Sequence, residues 1–131
     1  MPIQYAPKNG TILLCDFTGI DPEMQKRRPV VLVSSVSRGL CLVVPLSTTP
    51  PKNIMPWHYL FRLPEALPGN YTEATCWAKC DMVAAVSFVR LNLMVKGKDK
   101  SGKRIYQLTV ISVDDLEAIR AGVRNALSGS D

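Results

Sequence analysis

His58 is the only histidine in the chain and the only side chain whose ordinary pKa lies near neutrality, so any general acid or base working there would start from it. Its neighbours Trp57 and Tyr59 offer ring faces on which the bases of a single-stranded nucleic acid could stack. The competing reading is a structural histidine held among aromatics. Cys80 beside Asp81 offers a thiol nucleophile. A thiolate needs an adjacent base or cation, however, and the one histidine is far away in sequence. The four cysteines, Cys15, Cys41, Cys76 and Cys80, include no C-x-x-C pair, and one histidine cannot complete a zinc-finger pattern, so no metal centre is expected. The run KGKDKSGKR at 96–104 is a charged turn that either touches a polyanion or is merely solvated.

Short strands must position these groups. Residues 11–17 (TILLCDF) read as a strand after Asn9-Gly10. A polar, turn-rich stretch follows at 18–28. Residues 29–34 (PVVLVS) and 40–46 (LCLVVPL) are apolar throughout, as strands buried on both faces are, and the turn at 35–39 makes them a hairpin. Pro45 argues that the second strand stops or bends there. The prolines of 47–56 dictate a loop. Strand character returns at 57–63, gives way to a loop at 64–70, returns at 75–83, continues after a bend at 86–91, and appears last at 106–111. One helix is expected at the end, capped by Asp114 with Glu117 three residues on. Its apolar stripe is Leu116, Ile119, Val123 and Leu127, and Gly122 weakens it. The fold class is mainly β with a C-terminal helix, in the form of a small SH3-like or OB-like barrel.

The 131 residues fit one domain, 1–131, large enough to fold without staples. Apolar residues at 47% and charged residues at 21% exclude disorder. No stretch approaches a membrane span, and the first residues lack a secretory pattern. With unpaired cysteines this points to the reducing cytoplasm. The net charge of +5 favours polyanionic partners.

Three segments together resemble the MazF/PemK toxin family. They are GTILLCDF at 10–17, followed by a polar loop and KRRPVVLVS at 26–34; VVPLSTT at 43–49; and WAKCDMV at 77–83. The C-terminal helix completes the likeness, which spans roughly 8–128. The resemblance implies the barrel of the MazF/CcdB toxins, a homodimer, sequence-specific cleavage of single-stranded RNA without a metal or other cofactor, and a cognate antitoxin whose acidic C-terminal tail fills the RNA groove. It assigns Arg28 as the catalytic arginine and puts the catalytic hydroxyl at Ser47 or Thr48. Glu23 matches a loop acid, while Lys79 and Asp81 match a functional arginine and aspartate of some members. Arg27, Lys79, Glu23, Trp57 and His58 are the candidate RNA contacts. Where some members carry a first-loop histidine, this chain has Pro22.

The implied chemistry is self-consistent. The 2′-OH of RNA attacks the adjacent phosphorus, so the enzyme must accept that proton, stabilise the extra negative charge and protonate the leaving 5′-oxygen. Arginine suits the charge, because its fork of donors matches phosphate oxygens and it stays protonated. It is a poor proton donor for the same reason. Ser47 or Thr48 could add a hydroxyl donor, and Asp81 or Glu23 could serve as base. Two other readings share the barrel: a non-catalytic toxin or regulator that binds a protein such as gyrase, and a plain nucleic-acid-binding barrel. The presence of Arg28, Ser47 and Thr48 in matching places favours the enzyme.

Overall fold

Runs of β-branched residues set the architecture. The structure, a computed structural model, describes residues 2–69 and 74–129. Strands β1 (Ile12–Thr18), β2 (Gln25–Ser37) and β3 (Leu40–Ser47) form its centre. They are followed by β4 (His58–Arg62), β5 (Thr75–Lys79), β6 (Ala84–Ser87), β7 (Leu91–Asn92), β8 (Met94–Lys98) and β9 (Arg104–Gln107). Helix α1 (Val113–Ser128) follows. The main sheet runs β4-β5-β3-β2-β1-β7, all neighbours antiparallel, with β6 also on β3; β8 and β9 pair as a separate hairpin. The mainly-β class with one C-terminal helix is as expected. The sheet is not a closed barrel, since β4 and β7 end it unpaired to each other among the described residues.

Alternation along β1–β3 divides the core. Ile12, Val31, Val33, Val44 and Leu46 point to one side and pack with Phe61, Leu116 and Ile119 beneath α1. Leu13, Val30, Leu32 and Val43 point to the other and pack with Val86 and Leu91. The runs at 29–34 and 40–46 are therefore buried on both faces. Each such side chain contributes roughly 1.5–3 kcal/mol by leaving water.

Several local expectations change, among them the last strand, which is Arg104–Gln107 rather than 106–111. The stretch 18–28 is not all loop: β2 begins at Gln25, and Gln25–Arg28 pair with Thr18–Cys15. At its other end β2 runs on to Ser37, leaving only Arg38-Gly39 as the turn before β3. The strand through Pro45 continues to Ser47, and the interruption lies in its neighbour, where a 3₁₀ turn (Cys80–Met82) separates β5 from β6. The 96–104 segment is a β-hairpin with a turn at 99–103, not a simple turn. The loop at 64–70 is irregular through Gly69, and Asn70 lies outside the described residues.

Helix α1 is capped by Ser112, not Asp114: the Ser112 hydroxyl accepts from the Asp115 N–H at 3.1 Å. The Asp115 carboxylate is then free to accept from the Tyr59 hydroxyl at 2.7 Å, joining helix to β4. That bond, with burial and the Asp115 charge, holds the Tyr59 hydroxyl up at about 12. Arg120 donates to the Val33 carbonyl at 2.8 Å, joining helix to β2. Leu116, Ile119 and Val123 pack inward as the stripe predicts, while Leu127 is 80% exposed. Gly122 meets the 3₁₀ turn so closely that a Cβ there would lie 2.6 Å from Cys80 Sγ and 3.1 Å from the Trp57 carbonyl oxygen.

All four cysteines are buried and unpaired. Burial pushes the Cys15 thiol up to about 11, and those of Cys76 and Cys80 up to about 12, with the Asp115 and Asp81 charges adding to the last two respectively; burial also raises Cys41. Unfolded thiols ionise near 9.0, so above that pH the unfolded chain releases protons that the folded chain keeps. Stability from this source is full below about pH 9 and falls as pH rises towards 12. Iodoacetamide at pH 8 is expected to leave all four thiols unlabelled in the native protein and to label all four in denaturant, as read by mass spectrometry. Labelling of native Cys80 would show that the 3₁₀ turn opens.

Candidate active site

Arg28 stands half-buried on β2 opposite the buried Cys15 of β1, at the margin of the core. Its Nε donates to the Gln25 carbonyl at 3.1 Å, which sets the direction of the guanidinium. The two terminal nitrogens have no hydrogen bond or ion pair among the described residues. They are open to an anion in a cleft of about 420 Å³. That cleft is lined by Asp21, Glu23, Gln25, Lys26, Arg28, Ser47, Thr49, Lys79 and Met82, with three cations against two carboxylates.

Strand alternation, which brings Arg28 to this cleft, sends Arg27 to the other face. There Arg27 pairs with Asp16 across the strands, Nε to Oδ1 at 3.6 Å, both side chains about half exposed at 53%. It lines a different cleft with Leu14, Val95 and Arg104. Arg27 and Arg28, adjacent in sequence, therefore serve two surfaces.

Glu23 is fixed by the loop before β2. Its Oε1 accepts from the Ile20 N–H at 2.7 Å, and its own N–H donates to the Ile20 carbonyl at 2.8 Å. The loop folds this tightly because Gly19 has no side chain: a Cβ there would lie 2.5 Å from the Met24 carbonyl oxygen. One carboxylate oxygen is thus held by the backbone while the side chain lines the Arg28 cleft.

Ser47 ends β3 opposite Trp77. Its hydroxyl accepts from the Thr49 N–H at 3.1 Å and lies 3.4 Å from the Thr49 carbonyl. This turn brings Thr49 into the cleft and leaves Thr48 exposed and outside its lining. Thr49, Gln25, Lys26 and Asp21 are cleft residues that neither pattern nor resemblance singles out. Ser47 opening an ST turn would have pointed to Thr49; Lys26 reaches the cleft from a left-handed backbone at φ 67°, which no strand pattern announces.

Lys79 lines the Arg28 cleft, whereas Asp81 lines an adjoining one of about 510 Å³ with Thr18, Glu23, Met82 and Arg90. Glu23, Met24 and Met82 form the shared wall. His58 lies behind Asp81. Its side chain is only 8% exposed, its Nδ1 accepts from the Met55 N–H at 3.0 Å, and its Nε2 lies 3.8 Å from Asp81 Oδ1. The accepted bond puts the neutral ring's proton on Nε2, facing the Asp81 carboxylate. His58 thus backs the 3₁₀ turn and lines neither cleft. Trp57 is half-buried against the core beneath α1, its ring edge-on to His58 at 6.2 Å between centroids. The structure brings together Arg28, Ser47, Glu23 and Lys79; it sets Asp81 next door and Arg27, Thr48, Trp57 and His58 elsewhere.

The chain's fold is similar to that of an endoribonuclease in complex with its cognate antitoxin from a mycobacterial species, at TM-score 0.62 and 15% identity, covering 96% of this chain and 99% of the other. It is also similar to MazF from Deinococcus radiodurans, at TM-score 0.56 and 19% identity, covering 96% and 99% respectively. In sequence it is 33% identical to an uncharacterized protein of Haemophilus influenzae over 67% of this chain and 71% of that one, and 32% identical to YifN of Escherichia coli over 70% and 76%. Residues 8–127 match the profile of the PemK-like, MazF-like toxins of type II toxin–antitoxin systems, which takes in both clefts and every strand. The chain belongs to this toxin family.

Proposed function

We propose that this toxin is an endoribonuclease that cleaves single-stranded RNA in the Arg28 cleft, without a metal, by attack of the 2′-oxygen on the adjacent phosphorus. The observation that carries the reading is the Arg28 guanidinium, oriented by the Gln25 carbonyl and otherwise uncommitted, in a cleft with hydroxyls and two further cations. A bound phosphodiester meets two parallel N–H donors there. As the 2′-oxygen bonds to phosphorus, charge grows on the non-bridging oxygens, and Arg28, Lys79 and the Thr49 hydroxyl are placed to stabilise it. Glu23, one oxygen tied to Ile20 and the other untied, is the carboxylate of this cleft best placed to take the 2′-OH proton. Asp81, in the adjoining cleft, is the alternative base. The P–O5′ bond breaks, the 5′-oxygen takes a proton from water, and the ends are a 2′,3′-cyclic phosphate and a 5′-OH.

The same reading makes the chain a cytoplasmic homodimer, silenced by an antitoxin whose acidic C-terminal tail competes with RNA for the cationic cleft. The family supports this, as does the likeness to a toxin held by its antitoxin. Purified protein incubated with a long single-stranded RNA in EDTA is expected to make discrete cuts, and end-mapping to find cyclic phosphate and 5′-OH at each. Intact RNA after treatment with folded, antitoxin-free protein would reject the ribonuclease and favour a toxin that binds a protein target.

A further inference from the structure

The β8–β9 hairpin carries a charge that the Arg28 cleft does not use. Lys96, Lys98, Lys100, Lys103 and Arg104 stand against Asp99 alone, so this segment holds +4 of the chain's net +5. The five cations form no salt bridge among the described residues. Asp99 is occupied locally: its Oδ1 accepts from the Ser101 N–H, the Ser101 hydroxyl and the Lys103 N–H at 2.7–2.9 Å, bonds that hold its carboxyl below the usual range. Lys98 and Arg104 are paired directly across the two strands, where like charges repel. A turn that ties up its only acid and sets cations face to face is held ready for an external anion.

The hairpin also carries an aromatic. Tyr106 lies two residues from Arg104 on β9, is 44% exposed, and lines an apolar cleft with Tyr5 and Leu108 that adjoins the Arg104 cleft at Leu93. A basic track with an aromatic platform is the arrangement that holds single-stranded nucleic acid, phosphates on the cations and a base on the ring. An extended acidic peptide would use the cations but has no flat base for the ring. The site is also separate from the cleavage cleft: Arg104 lines the cleft on the Arg27 face of β2, and no hairpin residue lines the Arg28 cleft.

We infer that the β8–β9 hairpin is a second, sequence-independent anchor for the RNA backbone, which holds substrate flanking the cut. This rests on the ribonuclease reading for its purpose, although the binding itself does not. Single-stranded RNA binding of the full chain, measured by fluorescence anisotropy over a salt series, tests it with K96Q/K98Q/K100Q/K103Q. For a single strand, every phosphate that the protein ceases to neutralise flattens the plot of log K against log salt by about 0.7. The slope is expected to fall by about 2 to 3, and binding of a long RNA at low salt by at least tenfold. Single-turnover cleavage at saturating RNA should stay within about twofold of the parent. The matching lysine-to-arginine quadruple variant should restore the slope, and Tyr106→Ala should weaken binding without changing it. An unchanged slope in the glutamine variant, with the parent's melting temperature, overturns the inference, and so does weakened binding of an acidic peptide alone. If no RNA is ever cut yet the slope still falls, the ribonuclease reading fails and the anchor stands.

Discussion

Arg28→Ala is expected to lower kcat for RNA cleavage by about 10²- to 10³-fold, with the melting temperature changed by only a few degrees. The two effects separate because the side chain does little for the fold. Its one hydrogen bond is to the Gln25 carbonyl, within the same strand. Such a bond is worth about 1 kcal/mol. In catalysis the same side chain faces charge that exists fully only in the transition state. Removing a preorganised donor from that position typically costs roughly 3–4 kcal/mol. Arg28→Lys should recover part of the rate, since it keeps the charge but loses the fork. Single-turnover assays in EDTA beside thermal melts decide it, and a variant that cuts at the parent rate would remove Arg28 from the mechanism.

Gly122→Ala is expected to destabilise the protein by about 1–2 kcal/mol, against the sign that helix propensity predicts. In an exposed helix this change gains about 1 kcal/mol. Here the new methyl would lie 2.6 Å from Cys80 Sγ and 3.1 Å from a backbone oxygen, and Cys80 is itself fully buried. Overpacking of this kind costs about 1–3 kcal/mol before the propensity gain is counted, and 2.6 Å is beyond what small adjustments absorb. The strain should also reach the site, because Cys80 opens the turn that carries Asp81 and Met82. Combining the change with Cys80→Ala removes the sulfur and should recover at least half of the stability. Denaturant melts of the single and double variants measure this coupling. A stabilised Gly122→Ala would mean that helix and turn pack less closely than the structure shows.

The strands at the centre are legible because their apolar runs are short, β-branched and bounded by turn residues, which favours strand over buried helix. The arm of β2 is not. Gln25–Arg28 are polar and follow Gly19 and Pro22, and they are held by backbone pairing to β1, which leaves no hydrophobic trace. The facing of Arg27 and Arg28 depends on that arm and leaves no pattern of its own. The hairpin was hidden likewise, since lysines and glycine on an exposed strand resemble a solvated turn. Asp114 and Ser112 are both good caps two residues apart, and only backbone direction separates them. Gly122 read as a weak point in the helix because its reason is a residue 42 positions away. At the site, Arg28, Ser47, Glu23 and Lys79 came from resemblance to the family. Thr49 enters through a turn, and the burial of His58 through a hydrogen bond from the Met55 backbone.

Arg28 does its proposed work by parity. Two arginines stand side by side on β2, and a strand's two-residue repeat sends one to each surface. The register is locked downstream, where Val30 to Val33 are shared between two cores. One residue inserted between Arg28 and Pro29 would therefore leave the core untouched and exchange the arginines: Arg27 would face the cleavage cleft and Arg28 the Asp16 side. Two inserted residues would restore the facing and only lengthen the arm. In this part of the chain, tolerance to insertions should alternate between odd and even, and an insertion library scored for RNA cleavage would show that rhythm.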